Sequence, residues 1–579
     1  MDKTSPLYAQ RHSAAHLLAL AVKEQFDGAQ LGTGPVTEHG FYYDVRTSTP
    51  ITDADLKTLE KIIKKRIAQR LPFVRDEMSL EEARVLFAER NEPYKLELID
   101  KIADRGAESV SVYRTGDSFV DLCEGPHVEH SGEINAKALK LTTLSGAYWQ
   151  ADEHNDQMTR IYGVLFSTPE ELAEYEAMLR EAARRDHRKL GKALDLFTFS
   201  DLVGPGLPLW TPRGALLRQL LDDYVWELRA NHSYTRVAIP HITKKALYET
   251  SGHWQKFADE LFRITSREGK DYAMKPMNCP HHTQIFARKP HSYRELPQRY
   301  AETTMVYRDE QSGELGGLTR VLSITQDDAH IFCRHNQLRE EFFGVWDIID
   351  TFYTTFGFTF KTVRLSFHDP DHPEKYLGTP DTWAKAEQTL RDIAAARGVD
   401  AEEAPGEAAL YGPKVDFIAT DSLGRTHQVA TIQLDMNLPE RFDLTCINEA
   451  GEKERIVMIH CAIMGSLERF IAVLLEHTAG KLPVRFAPVQ AVVLPISDAH
   501  REYAMHVRDN LTATGARVDV RADGTTLGKR IRDAQTEQIP YMLIVGDQEV
   551  STNTVAVRSR DDGDLGTMDY EAVRTYLES

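Results

Sequence analysis

The stretch YRDEQSGELGGLTRVLSITQDDAHIF, Tyr307–Phe332, decides the fold. Its second half continues into Cys333 as a long β-rich run. Similar runs recur as DYAMKPMNC from Asp271, KVDFIAT from Lys414 and TIQLDM from Thr431. They alternate with helical patterns from Leu194 to about Leu482, which predicts a large, mostly antiparallel sheet carrying helices. Downstream, VQAVVLPI, a helix from Asp498, ARVDVRA, a second helix and PYMLIVGDQEV alternate as a compact α/β unit with parallel strands. Upstream, a helical stretch at Tyr8–Phe26, the strand-like GFYYDV at Gly40–Val45 and a Lys/Arg-rich helix at Asp55–Arg70 read as mixed α and β. Between the two, STPEELAEYEAMLREAARRDHRKLG reads as one connecting helix. Thr168 caps it, Pro169 starts it, Glu171 completes a capping box and Gly191 ends it. The expected class is α+β multidomain, with domains at 1–167, 168–193 (linker helix), 194–482 and 483–579.

Composition narrows the function classes. With 579 residues, 42% hydrophobic and 27% charged, the chain has the make-up of an ordinary globular protein of several domains. No apolar run approaches the ~18 residues that span a bilayer, and the start has no basic segment followed by an apolar one. The expectation is a cytoplasmic protein without a membrane partner. The five scattered cysteines argue against a disulfide framework. A balance of 69 basic to 88 acidic residues, net −19, excludes a general DNA-coating role, and any RNA partner has to be held through local contacts. The basic run Arg180, Arg184, Arg185, His187, Arg188, Lys189 is one such patch, or equally a solvated helix face.

Two constellations carry chemistry. His12 and His16 lie four apart on a predicted helix, and Cys123 and His127 in DLCEGPHV repeat that spacing. Such a tetrad suits zinc, or a metal-free polar pocket that positions water; spacing does not choose between them. In the central domain SGHW (Ser251), MKPMNCPHH (Met274), Tyr307–Phe332 and IHCAIMGSLERF (Ile459) occur without a GxxxxGK[ST] loop. A nucleoside triphosphate bound there needs arginine forks in place of a glycine cradle, and Arg308, Arg320 and Arg469 are the candidates. Cys279, His330 and His460 are too far apart in sequence for a finger-like zinc signature.

FRIT with KPMNCP, YRDE with GLTR, TQDDAHIF, YGPKVDF, TIQLD and GSLERF, in this order, resemble the catalytic core of the threonyl-tRNA synthetases, class II enzymes. HSAAH with DLCEGPHV resembles the editing domain of that family, and APVQ, GDQEV and VAVRSR its anticodon-binding domain. The resemblance implies ATP-dependent attachment of threonine to tRNA through a threonyl-adenylate, hydrolytic editing of seryl-tRNA, and a homodimer formed through the first class II motif at Val237–Pro240. It implies one Zn2+ on Cys279, His330 and His460, and Mg2+ with ATP. Asp328, Gln326, Tyr411 and Gln433 fall at threonine-binding positions. Glu310, Arg320 and Gln428 fall at ATP positions, and Arg308, Arg469 and His253 at catalytic ones. His12, His16, Cys123 and His127, with Asp121, carry editing without metal; Glu549 and Arg558 read the anticodon.

The chain departs from the family pattern at Ile324 (usually phenylalanine), Leu322 (arginine), His281 (glycine), Ala430 (glycine) and near Asp523–Gly524 (asparagine). The resemblance starts at the editing domain, so a form without the family's usual small N-terminal domain is expected, through natural loss or truncation. An aliphatic face still covers adenine, so altered ATP affinity is expected rather than lost activity. A binding-only regulator and an inhibitor-resistant paralogue are the competing readings. The intact arginines and Cys/His trio favour an enzyme over the first.

Overall fold

Helix α1 (Pro6–Gln25) starts on proline and buries every residue from Ser13 to Val22, so it is a core helix rather than a surface one. A computed structural model describes residues 3–117, 119–152 and 154–578, which fall into two compact units, Met1–Arg180 and Glu181–Ser579. In the first unit α1 and α2 (Asp53–Ala68) pack over a sheet in which β1 (Gly40–Arg46), β5 (Leu139–Tyr148) and β6 (Gln157–Leu165) run β1-β6-β5, all antiparallel. Gly40 crosses β6 so closely that a Cβ would lie 2.0 Å from the Gly163 carbonyl oxygen. A second antiparallel sheet joins β2 (Phe73–Ser79), β3 (Ser109–Thr115) and β4 (Phe119–Leu122), with helix α3 (Pro93–Asp104) lying between β2 and β3 in sequence.

The connecting segment is two helices, not one. Thr168 and Glu171 form the expected capping box on α4 (Pro169–Arg184). Asp186 then leaves helical geometry and caps a new helix, α5 (His187–Ala193), by accepting the Arg188 N–H at 2.8 Å. Gly191 lies inside α5, because a Cβ there would meet the Phe197 ring at 2.1 Å. Much of the basic run is held locally: Arg184 and Arg185 pair with Glu181 and Arg188 with Asp186, while His187 hydrogen-bonds Glu476 and Lys189 the Ala183 carbonyl.

In the second unit an eight-stranded sheet runs β7-β8-β9-β14-β13-β12-β10-β11: Thr235–Arg236, Gln298–Tyr307, Ser323–Cys333, Val457–Ser466, Thr426–Asp435, Lys414–Thr420, Thr359–Phe367 and Glu402–Pro405. Only the two edge pairings are parallel. Helices α6 (Pro212–Ala230), α8 (Leu338–Thr355) and α9 (Leu467–Thr478) cover one face, around Trp346, Phe352 and Phe470. Strand alternation sends the opposite set of side chains to the other face. Helix α7 (Cys279–Ala287) begins at that second face.

In the last sheet the three strands read from the sequence are parallel, as expected, and two further strands extend it. β15 (Ala491–Pro495), β16 (Val518–Val520) and β17 (Tyr541–Val545) are parallel, but β18 (Val555–Ser559) and β19 (Gly563–Met568) add antiparallel at one edge. After β17 the GDQEV segment forms the short helix α12 (Asp547–Thr552) instead of extending the strand.

Candidate active site

In β9, period-two alternation puts Gln326, Asp328 and His330 on one face and Asp327 on the other. Asp327 turns into the core, where its carboxylate accepts N–H groups of Ile463, Met464 and Gly465 and pairs with Arg229. That anchor fixes β14 beside β9. His330 stands directly across from His460, and His460 from Gln433 on β13. The face closes into a cavity of about 120 Å³ lined by Cys279, Arg308, Gln326, Asp328, His330, Tyr411, Gln433 and His460. All eight are candidates from the sequence. Met277, Thr431, Cys461 and Ala462 complete the lining and were not singled out.

The ligating atoms of Cys279, His330 and His460 lie within 4.8 Å of one another, all buried. His330 Nε2 is 3.1 Å from His460 Nδ1, while their other ring nitrogens are held from behind, by His282 Nδ1 at 2.7 Å and Asp435 Oδ2 at 2.8 Å. Burial, reinforced by Asp328 and Asp435, pushes the Cys279 thiol far up, and burial pushes the His330 imidazole far down. Asp328 is oriented by the Asn278 amide at 3.0 Å. Tyr411 stacks on His460 with ring centres 4.5 Å apart and donates to Gln433. Neither His282 nor Asp435 was found in the sequence: each acts only through a neighbour that is far away along the chain.

Arg308 borders the cavity, and Arg469 lies close enough to Arg320 and Arg308 for both to depress its guanidinium, after the larger effect of burial. Arg320 donates to Glu310 at 2.8 and 2.5 Å and also pairs with Glu314. Arg469 Nε donates to the Thr319 carbonyl at 3.1 Å. The three cations lie within reach of one another and favour a polyanion that can displace the carboxylates now beside them, Glu310 and Glu314 on Arg320 and Glu260 at 3.9 Å from Arg308. Gln428 and His253, like Glu310, Arg320 and Arg469, lie apart from the cavity lining. Gln428 is exposed and donates to Asp416 at 2.7 Å. His253 is buried behind Met277, with Nε2 3.2 Å from its sulfur and Nδ1 2.8 Å from Ser251 Oγ; burial pushes it down to about 3, so it is neutral. His281 is buried with no hydrogen-bond partner on either ring nitrogen and is pushed down to about 4.

In the first unit α1 and the segment after β4 bring the tetrad together. Cys123 Sγ lies 3.3 Å from His12 Nε2 and 3.2 Å from His127 Nε2, and all four ligating atoms lie within 4.8 Å of one another. His16 faces Asp121 at 3.6 Å. Asp121 in turn takes the Lys95 ammonium at 2.5 Å and the Tyr43 hydroxyl, a buried network the sequence reading missed. Burial lowers the imidazoles of His12, His16 and His127 and pushes the Cys123 thiol up to about 12. At neutral pH the tetrad is therefore uncharged. His12 and Cys123 open onto a cavity of about 650 Å³.

In the last sheet Arg558 projects from β18 into solvent, next to Asp564 in register. Glu549 spends one carboxylate oxygen on its own helix, accepting the Gly546 N–H at 2.9 Å.

Residues 262–478 match a family model described as the tRNA synthetase class II core domain (G, H, P, S and T), 490–579 an anticodon binding domain, and 110–162 the threonyl and alanyl tRNA synthetase second additional domain. Curated relatives include threonine–tRNA ligases of Synechococcus elongatus, 46% identical over 98% of this chain and 94% of that one, and Gloeobacter violaceus, 47% identical over 99% and 92%. A solved structure of the RNA binding domain of threonyl-tRNA synthetase from Cryptosporidium parvum Iowa II aligns with TM-score 0.65 and 40% identity, covering 68% of this chain and 98% of that one. A putative threonyl-tRNA synthetase of Aeropyrum pernix aligns with TM-score 0.60 and 30% identity over 68% and 94%. With that identity along nearly its whole length, and a class II core beneath the Cys/His cavity, the chain belongs to the threonine–tRNA ligase family.

Proposed function

We propose that the chain charges tRNA with threonine in two steps in the cavity of the large sheet and clears seryl-tRNA at the tetrad. The observation that carries this reading is the convergence of Cys279, Asp328, His330, His460 and Arg308 on one cavity of amino-acid size. The donor set suits zinc: two imidazole nitrogens and a thiol converge, and each imidazole is braced through its second nitrogen. A zinc ion bound there supplies Lewis acidity and open positions for the amino and hydroxyl groups of threonine. The surrounding residues then discriminate. Asp328 accepts from the hydroxyl, while Tyr411, Gln326 and Gln433 bound the rest of the side chain, so that valine, lacking the hydroxyl, leaves polar groups unpaired.

In the first step the threonine carboxylate attacks the α-phosphorus of ATP and pyrophosphate leaves. Arg308 is assigned to the α-phosphate, Arg320 and Arg469 to the outer phosphates with Mg2+, Glu310 to the adenine amino group and Gln428 to a further nucleotide contact. In the second step a hydroxyl of the tRNA terminal ribose attacks the adenylate carbonyl and AMP leaves; His253 is assigned to this step. Editing falls to His12, His16, Cys123 and His127 with Asp121. The high-lying thiol makes Cys123 a poor nucleophile, so the group is read as holding the serine hydroxyl and a water for ester hydrolysis.

The division is 1–167 for editing, 168–193 linker, 194–482 catalysis and 483–579 anticodon binding through Glu549 and Arg558. A homodimer through Val237–Pro240 is supported by the edge position of β7, and a cytoplasmic setting by five unpaired cysteines. No helix among the described residues is long and apolar enough to cross a membrane. Threonine-dependent exchange of pyrophosphate into ATP, followed by charging of tRNA, tests the assignment; activity with valine at the threonine rate would refute the pocket reading.

A further inference from the structure

The loop that carries Glu310 and Arg320 is fastened at one point by a side chain from the linker. Leu318 N–H donates to His187 Nε2 at 3.1 Å, and His187 Nδ1 donates to Glu476 Oε1 at 2.7 Å. These two bonds fix one tautomer: the proton sits on Nδ1, and Nε2 is left as the acceptor. Both His187 and Leu318 are buried. Burial alone would raise the Glu476 carboxyl, but hydrogen bonds from His187 and Arg425 hold it below its ordinary value. Asp186 and Glu476 are each paired with an arginine, Arg188 and Arg425, and both ring nitrogens of His187 are taken by Leu318 and Glu476.

Gly317 supplies the second observation. It adopts φ +60°, and a Cβ there would lie 2.4 Å from His187 Nε2. The loop backbone therefore approaches the imidazole as closely as only glycine permits. Two peptide groups further on, the Thr319 carbonyl takes Arg469 Nε, and Arg320 follows directly. One fixed N–H thus sets the carbonyl that orients one phosphate-side arginine and the Cα from which the other projects.

We propose that His187 is a positioning residue for ATP, holding the Gly316–Arg320 turn through the Leu318 N–H so that Arg320 and Arg469 stand ready for the outer phosphates. It rests on the assignment of these arginines to ATP. The linker helix is then part of the nucleotide site and not merely a tether.

The test uses the full-length chain and pyrophosphate exchange with ATP and threonine varied separately. His187→Asn keeps a donor near the Nδ1 position for Glu476 but cannot reach Leu318, whereas His187→Gln places an acceptor near the Nε2 position. The Asn variant should raise the KM for ATP about five- to thirty-fold, with the KM for threonine and the metal content unchanged. Gln should restore most of the loss, and Gly317→Ala should reproduce the Asn phenotype from the loop side. Equal impairment of Asn and Gln, or wild-type ATP dependence in both Asn and Gly317→Ala, overturns the proposal. Arg469→Ala and Arg320→Ala separate the two levels: if both still exchange normally, the assignment of these arginines to ATP is wrong, whatever His187 does.

Discussion

His330 Nε2 and His460 Nδ1 face each other at 3.1 Å from directly opposed positions on β9 and β14. One proton between these nitrogens makes a hydrogen bond, and with that proton removed both lone pairs point at one spot that suits a shared cation. Cys279 from α7 completes the set. Purified protein should hold one zinc per chain, and Cys279→Ala should hold none and lose threonine activation. Elemental analysis decides this: zinc retained in the variant would place the metal elsewhere, and the tetrad of the first unit is then the alternative.

Arg308 lines the cavity, and Arg469, exposed to solvent, donates to the Thr319 carbonyl at 3.1 Å. On the proposed assignment, replacing either by alanine removes a cation facing phosphate oxygens whose charge shifts in the transition state. Exchange should fall on the order of a hundredfold or more, with dimer and tRNA binding largely kept. Near-normal exchange in Arg308→Ala would remove that residue from the mechanism.

The site was legible where it is written locally and illegible where it is assembled across the chain. TQDDAHIF already holds Gln326, Asp328 and His330 at period two, so their common face followed from strand geometry. The choice between Asp327 and Asp328 becomes physical only with β14 in place, because Asp327 is consumed by three of its backbone N–H groups. His282, Asp435, Lys95 and Tyr43 support other side chains from distant positions and leave no spacing signal. The linker read as one helix because its composition is helical throughout; the break comes from Asp186 capping a second helix. The last sheet read as parallel because its first strands alternate with helices, while β18 and β19 follow a short helix that GDQEV alone does not announce.

The first unit should weaken in mild acid. Burial holds the imidazoles of His12, His16 and His127 below their ordinary value, so below about pH 6.5 the unfolded chain binds protons that the folded unit refuses. Stability is therefore full above that pH and falls as pH drops through it, by about 1.4 kcal/mol per pH unit for each such histidine. Denaturant unfolding from pH 7 to 5 should show this slope, and His16→Gln should reduce it by about one proton. Hydrolysis of seryl-tRNA, by contrast, should stay flat from pH 8 to about 6; a step at pH 6.5 would mean that an editing histidine titrates normally.

Arg558 projects from β18 on a chain whose net charge of −19 repels RNA over most of its surface, and on the proposed anticodon assignment a single exposed cation would carry more of the recognition than on a basic protein. Arg558→Ala should raise the KM for tRNA about tenfold and leave adenylate formation unchanged. Parallel loss in both assays would indicate a folding defect instead of a lost anticodon contact.

Serine carries the amino and hydroxyl groups of threonine and lacks only a methyl, so a metal-reading pocket accepts both. Losing the contacts of one methyl costs about 1–3 kcal/mol, a discrimination of roughly 10–200-fold. A second sieve is then required, and the tetrad offers one: polar, uncharged at neutral pH, and open to a cavity through His12 and Cys123. His16 is tied to the Asp121–Lys95–Tyr43 network, so the two histidines divide the work, one facing the cavity and one held by the core. Replacing His12 and His16 together should leave threonine charging near normal, because the large sheet is untouched, and let seryl-tRNA accumulate when serine and ATP are supplied. Deacylation of preformed seryl-tRNA by the purified double variant is the direct measurement. Clearance at the wild-type rate would make the tetrad structural and place editing elsewhere.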